Sequence, residues 1–134
     1  MPRESSRINN DFIADNSTSG ELWGPDVALR RMGDDSELLC SMVDYFLEDS
    51  PVLLLQLHDL IEVGDTEESS RIAHSLKGLC ANFEAQAAIK VAADTEIACR
   101  DGNFPDAVPL LNSLNEEIRK LVLSLKAWQS RHSG

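Results

Sequence analysis

The feature of this sequence that most constrains its fold is a run of apolar residues within residues 36–63 that recur at spacings of three and four. This spacing places them on one face of an α-helix, and the run is long enough for a core helix. Pro51 interrupts it and lacks a backbone N–H, so we expect a kink or a brief break at residues 49–51. The apolar residues of the run are Leu38, Leu39, Met42, Val43, Phe46, Leu47, Leu53, Leu54, Leu57, Leu60 and Ile61.

Helix start and stop signals flank this run. The stretch "PDVALRRMG" begins at Pro25 and ends at Gly33, which is typical of a short helix. In "GDTEE", Gly64 ends the long helix and Asp65 is placed to cap the next one, with Glu68 completing a capping box. The sequence therefore predicts a short entry helix, the long helix and a third helix from residue 66 to about residue 82.

Two further helices are predicted downstream. The segment "AQAAIKVAADTEIACRDG" is rich in alanine and ends at Gly102, and its small residues permit close approach to a neighbour. In "FPDAVPLLNSLNEEIRKLVLSLKAW" we expect Asp106 to be the cap and Pro109 to lie in the first turn, where a missing N–H costs little. No credible strand pair appears in the sequence. The prediction is an all-α fold, an antiparallel up-and-down four-helix bundle with a short additional N-terminal helix.

The domain organisation follows from length and local composition. The chain has 134 residues, enough for one domain. Residues 1–20 are rich in Ser, Asn, Asp and Gly without periodicity and predict a flexible N-terminal tail or linker, while residues 21–130 form the bundle domain. Trp23 and Trp128, near the two ends of this domain, are expected to pack together.

Charge and cysteine usage exclude several function classes. The formal charge is −11, with 12 Lys and Arg against 23 Asp and Glu, so we expect no binding to nucleic acid and no insertion into a membrane. Cys40, Cys80 and Cys99 are odd in number and widely spaced, which fits neither a disulfide framework nor a zinc site. We therefore expect a cytoplasmic protein without a metal, in which Cys80 and Cys99 pack as small apolar residues.

One histidine in the third helix has unusual neighbours. On a helical wheel His74 lies opposite the apolar stripe, with Lys77, Gly78 and Ala81 beside it on the helix surface. A glycine inside a helix is less stable than alanine by roughly 0.5–1 kcal/mol. Its absent side chain would allow another protein's active site to approach the imidazole, although a solvated histidine beside an incidental glycine remains the alternative. The stripe consists of Ile72, Leu76, Leu79, Cys80 and Phe83.

The sequence "AHSLKG", residues 73–78, resembles the signature of histidine-containing phosphotransfer (HPt) domains. The preceding "LRRMGDDSELLCSMVDYFLEDSPVLLLQLHDLIEVGD" and the later "EIACRDG" are similar to the corresponding family segments, so that the resemblance covers residues 22–128. The chain departs from the family pattern at Leu79 and Cys80, where small or hydroxyl residues are frequent. It also departs at Glu84, where a glycine commonly begins the next turn.

The resemblance implies a phosphorelay intermediate. His74 would accept a phosphoryl group from the aspartyl phosphate of a response-regulator receiver domain and pass it to another receiver, with Lys77 stabilising the group. The expected partners are receiver domains and a hybrid sensor histidine kinase, and Mg²⁺ is expected on the receiver alone. The chain has no nucleotide-binding loop, so we expect no ATP binding, no kinase activity and no cofactor, and we expect a monomer. The residues expected at the docking surface are Glu67, Ser70, Gly78 and Ala81.

Two alternatives stay open at this point. The chain could be a helical interaction module that has the HPt fold without being phosphorylated.

Glu96, 22 residues after the histidine, is expected to orient the imidazole of His74. HPt relatives often carry a Gln or Glu with this role at the corresponding place, and a lone carboxylate on a mostly small, apolar face needs a partner. The alternative for Glu96 is pairing with a Lys or Arg at the edge of the bundle. His58 and His132 have no supporting motif, and we predict no role for them.

Overall fold

The computed structural model describes residues 22–132, which form an all-α fold of five helices without a strand in that range. Each long helix packs against two others, in the cyclic order α2, α3, α4, α5, and the short turns between them make successive helices antiparallel. This arrangement confirms the predicted bundle with its short N-terminal helix. The predicted tail, residues 1–20, lies outside the described residues. The helices are α1 (Pro25–Arg31), α2 (Ser36–Glu62), α3 (Thr66–Ala81), α4 (Gln86–Arg100) and α5 (Phe104–His132).

Aromatic side chains close one end of the bundle. The Trp23 ring meets the rings of Phe83 and Trp128 edge to face, at centroid distances of 5.8 and 5.7 Å, and its Nε1 donates to Ser124 Oγ over 3.1 Å. The predicted packing of the two tryptophans is confirmed. The contact ties the segment before α1 to the end of α5, since such pairs combine large apolar burial with favourable ring geometry.

The turns explain where the helices end. Gly33, Gly64 and Gly102 have φ values of 68°, 71° and 73°, a left-handed conformation that favours glycine after a helix. Asp65 accepts a hydrogen bond from Glu68 N over 3.0 Å, as a cap does. The second half of the predicted capping box is wrong, because the Asp65 N–H already donates to Leu60 O at the end of α2.

Two further expectations concern proline and capping. The helix α2 continues through Pro51, so of the expected kink or brief break the break does not occur, since proline removes only one hydrogen bond and core residues on both sides hold the helix in place. The expectations for the start of α5 are wrong. The helix α5 begins at Phe104, so that Pro109 lies beyond its first turn. Asn103 rather than Asp106 caps this helix, with Asn103 Oδ1 accepting from Asp106 N over 3.3 Å.

The cysteines lie where the sequence predicts. Cys80 and Cys99 are buried in the core, and Cys40 is partly buried. Burial raises the pKa of Cys80 to about 12, so its thiol stays protonated near neutral pH. Among residues 22–132, no helix is both long enough and apolar enough to cross a lipid bilayer.

Candidate functional site

One face of α3, the helix that contains His74, packs against the rest of the bundle. Ile72, Leu76 and Cys80 of the predicted stripe are buried, and Ser69 and Ala73, which the wheel did not assign to the stripe, are buried as well. The buried face is therefore wider than the apolar pattern, because the adjacent helix α4 approaches it closely. His74 lies outside this face, with 66% of its side chain exposed.

The helix α4 brings a carboxylate to the histidine. It packs against α3, and its buried residues include Ala88 and Ala92, whose small side chains suit a close approach to a neighbouring helix. Glu96 lies at the edge of this contact, only 16% exposed, with its Oε2 atom 3.1 Å from His74 Nδ1. An ionised carboxylate can only accept a hydrogen bond, so this contact assigns the ring proton to Nδ1. Within residues 22–132, Nε2 of His74 makes no hydrogen bond.

Glu96 has a second partner on the same helix as the histidine. Lys77 Nζ lies 3.0 Å from Glu96 Oε1, so one carboxylate joins the imidazole and the ammonium through its two oxygens. Both interpretations of Glu96 that the sequence left open are therefore present together in the structure. Partial burial acts to raise the pKa of the Glu96 carboxyl, but Lys77 and His74 outweigh it, and the pKa lies below its ordinary value.

The surface of α3 beside the imidazole has no side chain at one position, Gly78. Apart from its chain neighbours and the backbone of its own helix, a Cβ atom added to Gly78 would meet no described atom within 4 Å, so packing against other described residues does not require the glycine. Glu67 and Gly78 are exposed, and Ser70 and Ala81 are half-buried. Ser70 Oγ donates to Glu67 O over 3.0 Å. The four residues share the outer side of α3 with His74, but their side chains are not joined to the Glu96 cluster by any hydrogen bond within residues 22–132.

An arginine that the sequence analysis missed lies at the end of this surface. Arg31, in the last turn of α1, pairs with Glu84 Oε2 over 2.6 Å and donates to Ala81 O over 3.2 Å. Glu84 has a φ of 55°, a left-handed conformation that explains why relatives commonly carry glycine there. The ion pair holds this strained turn between α3 and α4. The only sequence signal was a pair of arginines ending the first helix.

The other two histidines have different surroundings. His58 Nδ1 lies 3.2 Å from Asp59 and its Nε2 3.9 Å from Glu62, with all three residues exposed on α2. Their ligand atoms lie within 4.8 Å of one another, but exposed carboxylates of this kind are common without an ion, and we assign no metal there. His132 stacks on Trp128 at a centroid distance of 4.4 Å.

The described residues thus form an all-α bundle that presents an exposed histidine beside a largely buried carboxylate from the next helix. Among known families, the profile described as Hpt domain matches residues 41–128. The chain belongs to the Hpt family. It therefore has a histidine phosphotransfer role in a phosphorelay, in which proteins of this family work with response-regulator receivers and kinases and are carriers rather than kinases.

A solved structure shares the fold. The crystal structure of histidine-containing phosphotransfer protein B (HptB) from Pseudomonas aeruginosa PAO1 superposes with a TM-score of 0.78 and is 23% identical in sequence. The match covers 85% of this chain and 99% of that one, so the two share the whole bundle. No curated protein matches the sequence significantly.

Proposed function

We propose that His74 carries the phosphoryl group. The observation that carries this proposal is the pairing of His74 Nδ1 with the largely buried Glu96, which leaves Nε2 free on an exposed ring. A neutral imidazole nitrogen is a competent nucleophile near neutral pH. His58 and His132 lack a carboxylate held in this way by a second helix, and Gly78 leaves open space beside His74 alone.

The chemistry is a transfer between two proteins. The lone pair of Nε2 attacks the phosphorus of a receiver's aspartyl phosphate, the N–P bond forms, and the bond from phosphorus to the aspartyl oxygen breaks, which returns a carboxylate to the receiver. The proton stays on Nδ1, so the ring becomes cationic. Glu96 stabilises this charge through the hydrogen bond that it already accepts. The reverse sequence, with a second receiver, discharges the histidine.

Lys77 would neutralise the transferred group. Lys77 lies one turn after His74 on α3, and its ammonium is paired with Glu96 in the structure. Once a phosphoryl group stands on Nε2, we expect Lys77 to contact its oxygens, because a dianionic phosphoryl group attracts an ammonium more strongly than a carboxylate already shared with the ring.

The receiver would supply the rest of the site. We expect it to bring the Mg²⁺ and the acidic pocket, since phosphoryl transfer depends on alignment and charge neutralisation. Docking would take place over Gly78, with Ala81, Ser70 and Glu67 around it. In this proposal the chain acts as a monomer without a cofactor, in the cytoplasm, where its free cysteines stay reduced.

The test follows radioactive phosphate from a phosphorylated receiver. The wild type and His58→Gln should become labelled at the same rate, and His74→Gln should remain folded and unlabelled. Label on His74→Gln would contradict the assignment. If the wild type binds a receiver but takes up no label from it, the result would favour the second candidate, a helical interaction module that is not phosphorylated.

A further inference from the structure

The charge of this chain is concentrated in one part of it. Residues 32–70 contain 11 of the 23 Asp and Glu and none of the 12 Lys and Arg. The rest of the sequence therefore has 12 residues of each sign, and the formal charge of −11 belongs to this segment. Most of it is α2 and its flanking turns. A field of one sign over a single helix attracts partners of the opposite sign and repels like surfaces.

The outer side of the same helix exposes apolar side chains in a regular pattern. Leu38, Tyr45 and Val52 follow one another at intervals of seven residues, and Leu55 lies one turn further. All four are exposed, opposite the buried face of α2. We call these four residues the outer stripe. Isolated exposed apolar residues are common on protein surfaces, but a line with this spacing matches the contact face of a second helix.

Acidic residues border the outer stripe on both sides. Helix α2 contains no Lys or Arg, and Arg119 of α5, which lines one open groove between α2 and α5, is already paired with Glu116. A second, adjoining open groove between α2 and α5 has a volume of about 440 Å³ and is lined by Pro51, Leu54, Leu55, His58 and Asn115. Leu55 thus belongs both to the outer stripe and to the groove. The bordering acidic residues are Glu37, Asp44, Glu48, Asp49, Asp59 and Glu62.

We propose that the outer stripe of α2 binds a cationic amphipathic helix of a partner protein. Such a helix would place its apolar side chains on the stripe, one of them in the groove, and its Lys and Arg against the bordering carboxylates. A second copy of this chain does not fit, because it would place carboxylates against carboxylates. This surface belongs to α2 and α5, whereas the surface proposed for receiver docking belongs to α3.

The test uses the full chain and a synthetic 18-residue amphipathic helix with Leu on one face and Lys on both sides of it. Titration calorimetry measures affinity, and amide NMR shifts locate the site. We expect binding that weakens from 50 to 500 mM NaCl, with shifts centred on Val52 and Leu55. A peptide with Glu in place of Lys should not bind.

Matched substitutions separate this surface from general attraction to an acidic protein. Val52→Asn should weaken binding about fivefold, since part of an apolar contact is lost. Val108→Asn changes a valine of similar exposure on α5, 50% against 55%, and should leave the affinity unchanged. Both variants should keep the helical circular dichroism of the wild type.

Several results would overturn the proposal. They are equal effects of the two substitutions, binding of the Glu peptide, shifts spread over the acidic surface, and sedimentation that shows dimers formed through the outer stripe. Loss of label transfer in Val52→Asn would place receiver docking on α2 and would equally contradict a separate surface. If the peptide fails to bind while His74 is labelled normally, this inference fails and the proposed function stands.

Discussion

His74 and His58 are both exposed histidines whose Nδ1 atoms lie near a carboxylate oxygen, at 3.1 and 3.2 Å, yet the carboxylates beside them differ in burial. The carboxylate beside His74 is Glu96, which comes from another helix and is 16% exposed. The carboxylates beside His58 come from its own helix and are 69% and 68% exposed, Asp59 and Glu62 respectively. The two sites therefore differ in how firmly the carboxylate beside the imidazole is held in place.

A contact between exposed side chains contributes little, because water and side-chain freedom compete with it. At His74 the carboxylate is held by helix packing and by Lys77, and we expect this to give the ring one preferred orientation. The residue four positions on also differs, since it is Gly78 after His74 and Glu62 after His58. Exposure and a nearby carboxylate are thus common to both histidines. A second partner for the carboxylate and open space beside the ring separate the two, and the proposal that His74 is phosphorylated depends on that difference.

The largest expected effect comes from filling that open space. Gly78→Leu should slow transfer from a phosphorylated receiver about 100-fold, because a small displacement of the reacting atoms is costly in a transfer between two proteins. Gly78→Ala is the matched control and should retain most of the rate, since its methyl group would meet no described atom beyond the neighbouring part of α3. The measurement is the rate of label transfer under single-turnover conditions. Unchanged transfer by Gly78→Leu would mean that the receiver approaches elsewhere.

A smaller loss is expected when the orienting carboxylate is removed. Glu96→Ala should slow transfer about tenfold, in the range seen when groups that orient a reacting histidine are removed. Asp59→Ala, the equivalent change at His58, should have no effect. The ¹⁵N shifts of the imidazoles report the tautomer: His74 should lose its preference for a proton on Nδ1 in Glu96→Ala only. The same tautomer and rate in both proteins would rule out an orienting role.

Gly78 should lower the free energy of unfolding relative to an alanine at the same position. Gly78→Ala should raise the free energy of unfolding by roughly 0.5–1 kcal/mol, because alanine is the better helix former and the site is open. Gly102→Ala provides the contrast and should destabilise the protein, since its φ of 73° disfavours a side chain. Urea denaturation measures both. A destabilised Gly78→Ala would assign the glycine to packing instead of docking.

The smallest effect concerns pH. Because the folded-state pKa of Glu96 is lowered from its ordinary value of 4.5, its contribution to stability is present above that value and is lost as the pH falls through the lower folded value. We expect Glu96→Gln to be less stable than the wild type by about 0.5 kcal/mol at pH 7. The difference should shrink as the pH falls below 4.5. A difference that grows on acidification would contradict the ion pair.

What could be predicted from the sequence was set by local periodicity. The position of His74 opposite the core stripe depends only on the geometry of one helix, and Gly64 and the Asp65 cap, which precede α3, are equally local. The burial of Ser69 and the Lys77–Glu96 pair depend on how α4 lies against α3, which no spacing within one helix specifies. The Arg31–Glu84 pair is non-local for the same reason.

The errors have physical causes too. Proline and a capping aspartate are local signals, but tertiary packing kept α2 intact through Pro51, and Asn103 was as good a cap as Asp106. The contact of Glu96 with His74 was anticipated through the family resemblance and a carboxylate on an apolar face. Its simultaneous pairing with Lys77 was not, because the sequence analysis treated the two partners as alternatives.

The most direct test is the NMR spectrum of the imidazole nitrogens after phosphorylation of the full chain by a receiver. Long-range ¹H–¹⁵N correlations identify both the phosphorylated histidine and the nitrogen that carries phosphorus. Our account predicts phosphorus on Nε2 of His74, a proton retained on its Nδ1, and unchanged rings at His58 and His132. Phosphorus on His58, or on Nδ1 of His74, would contradict it.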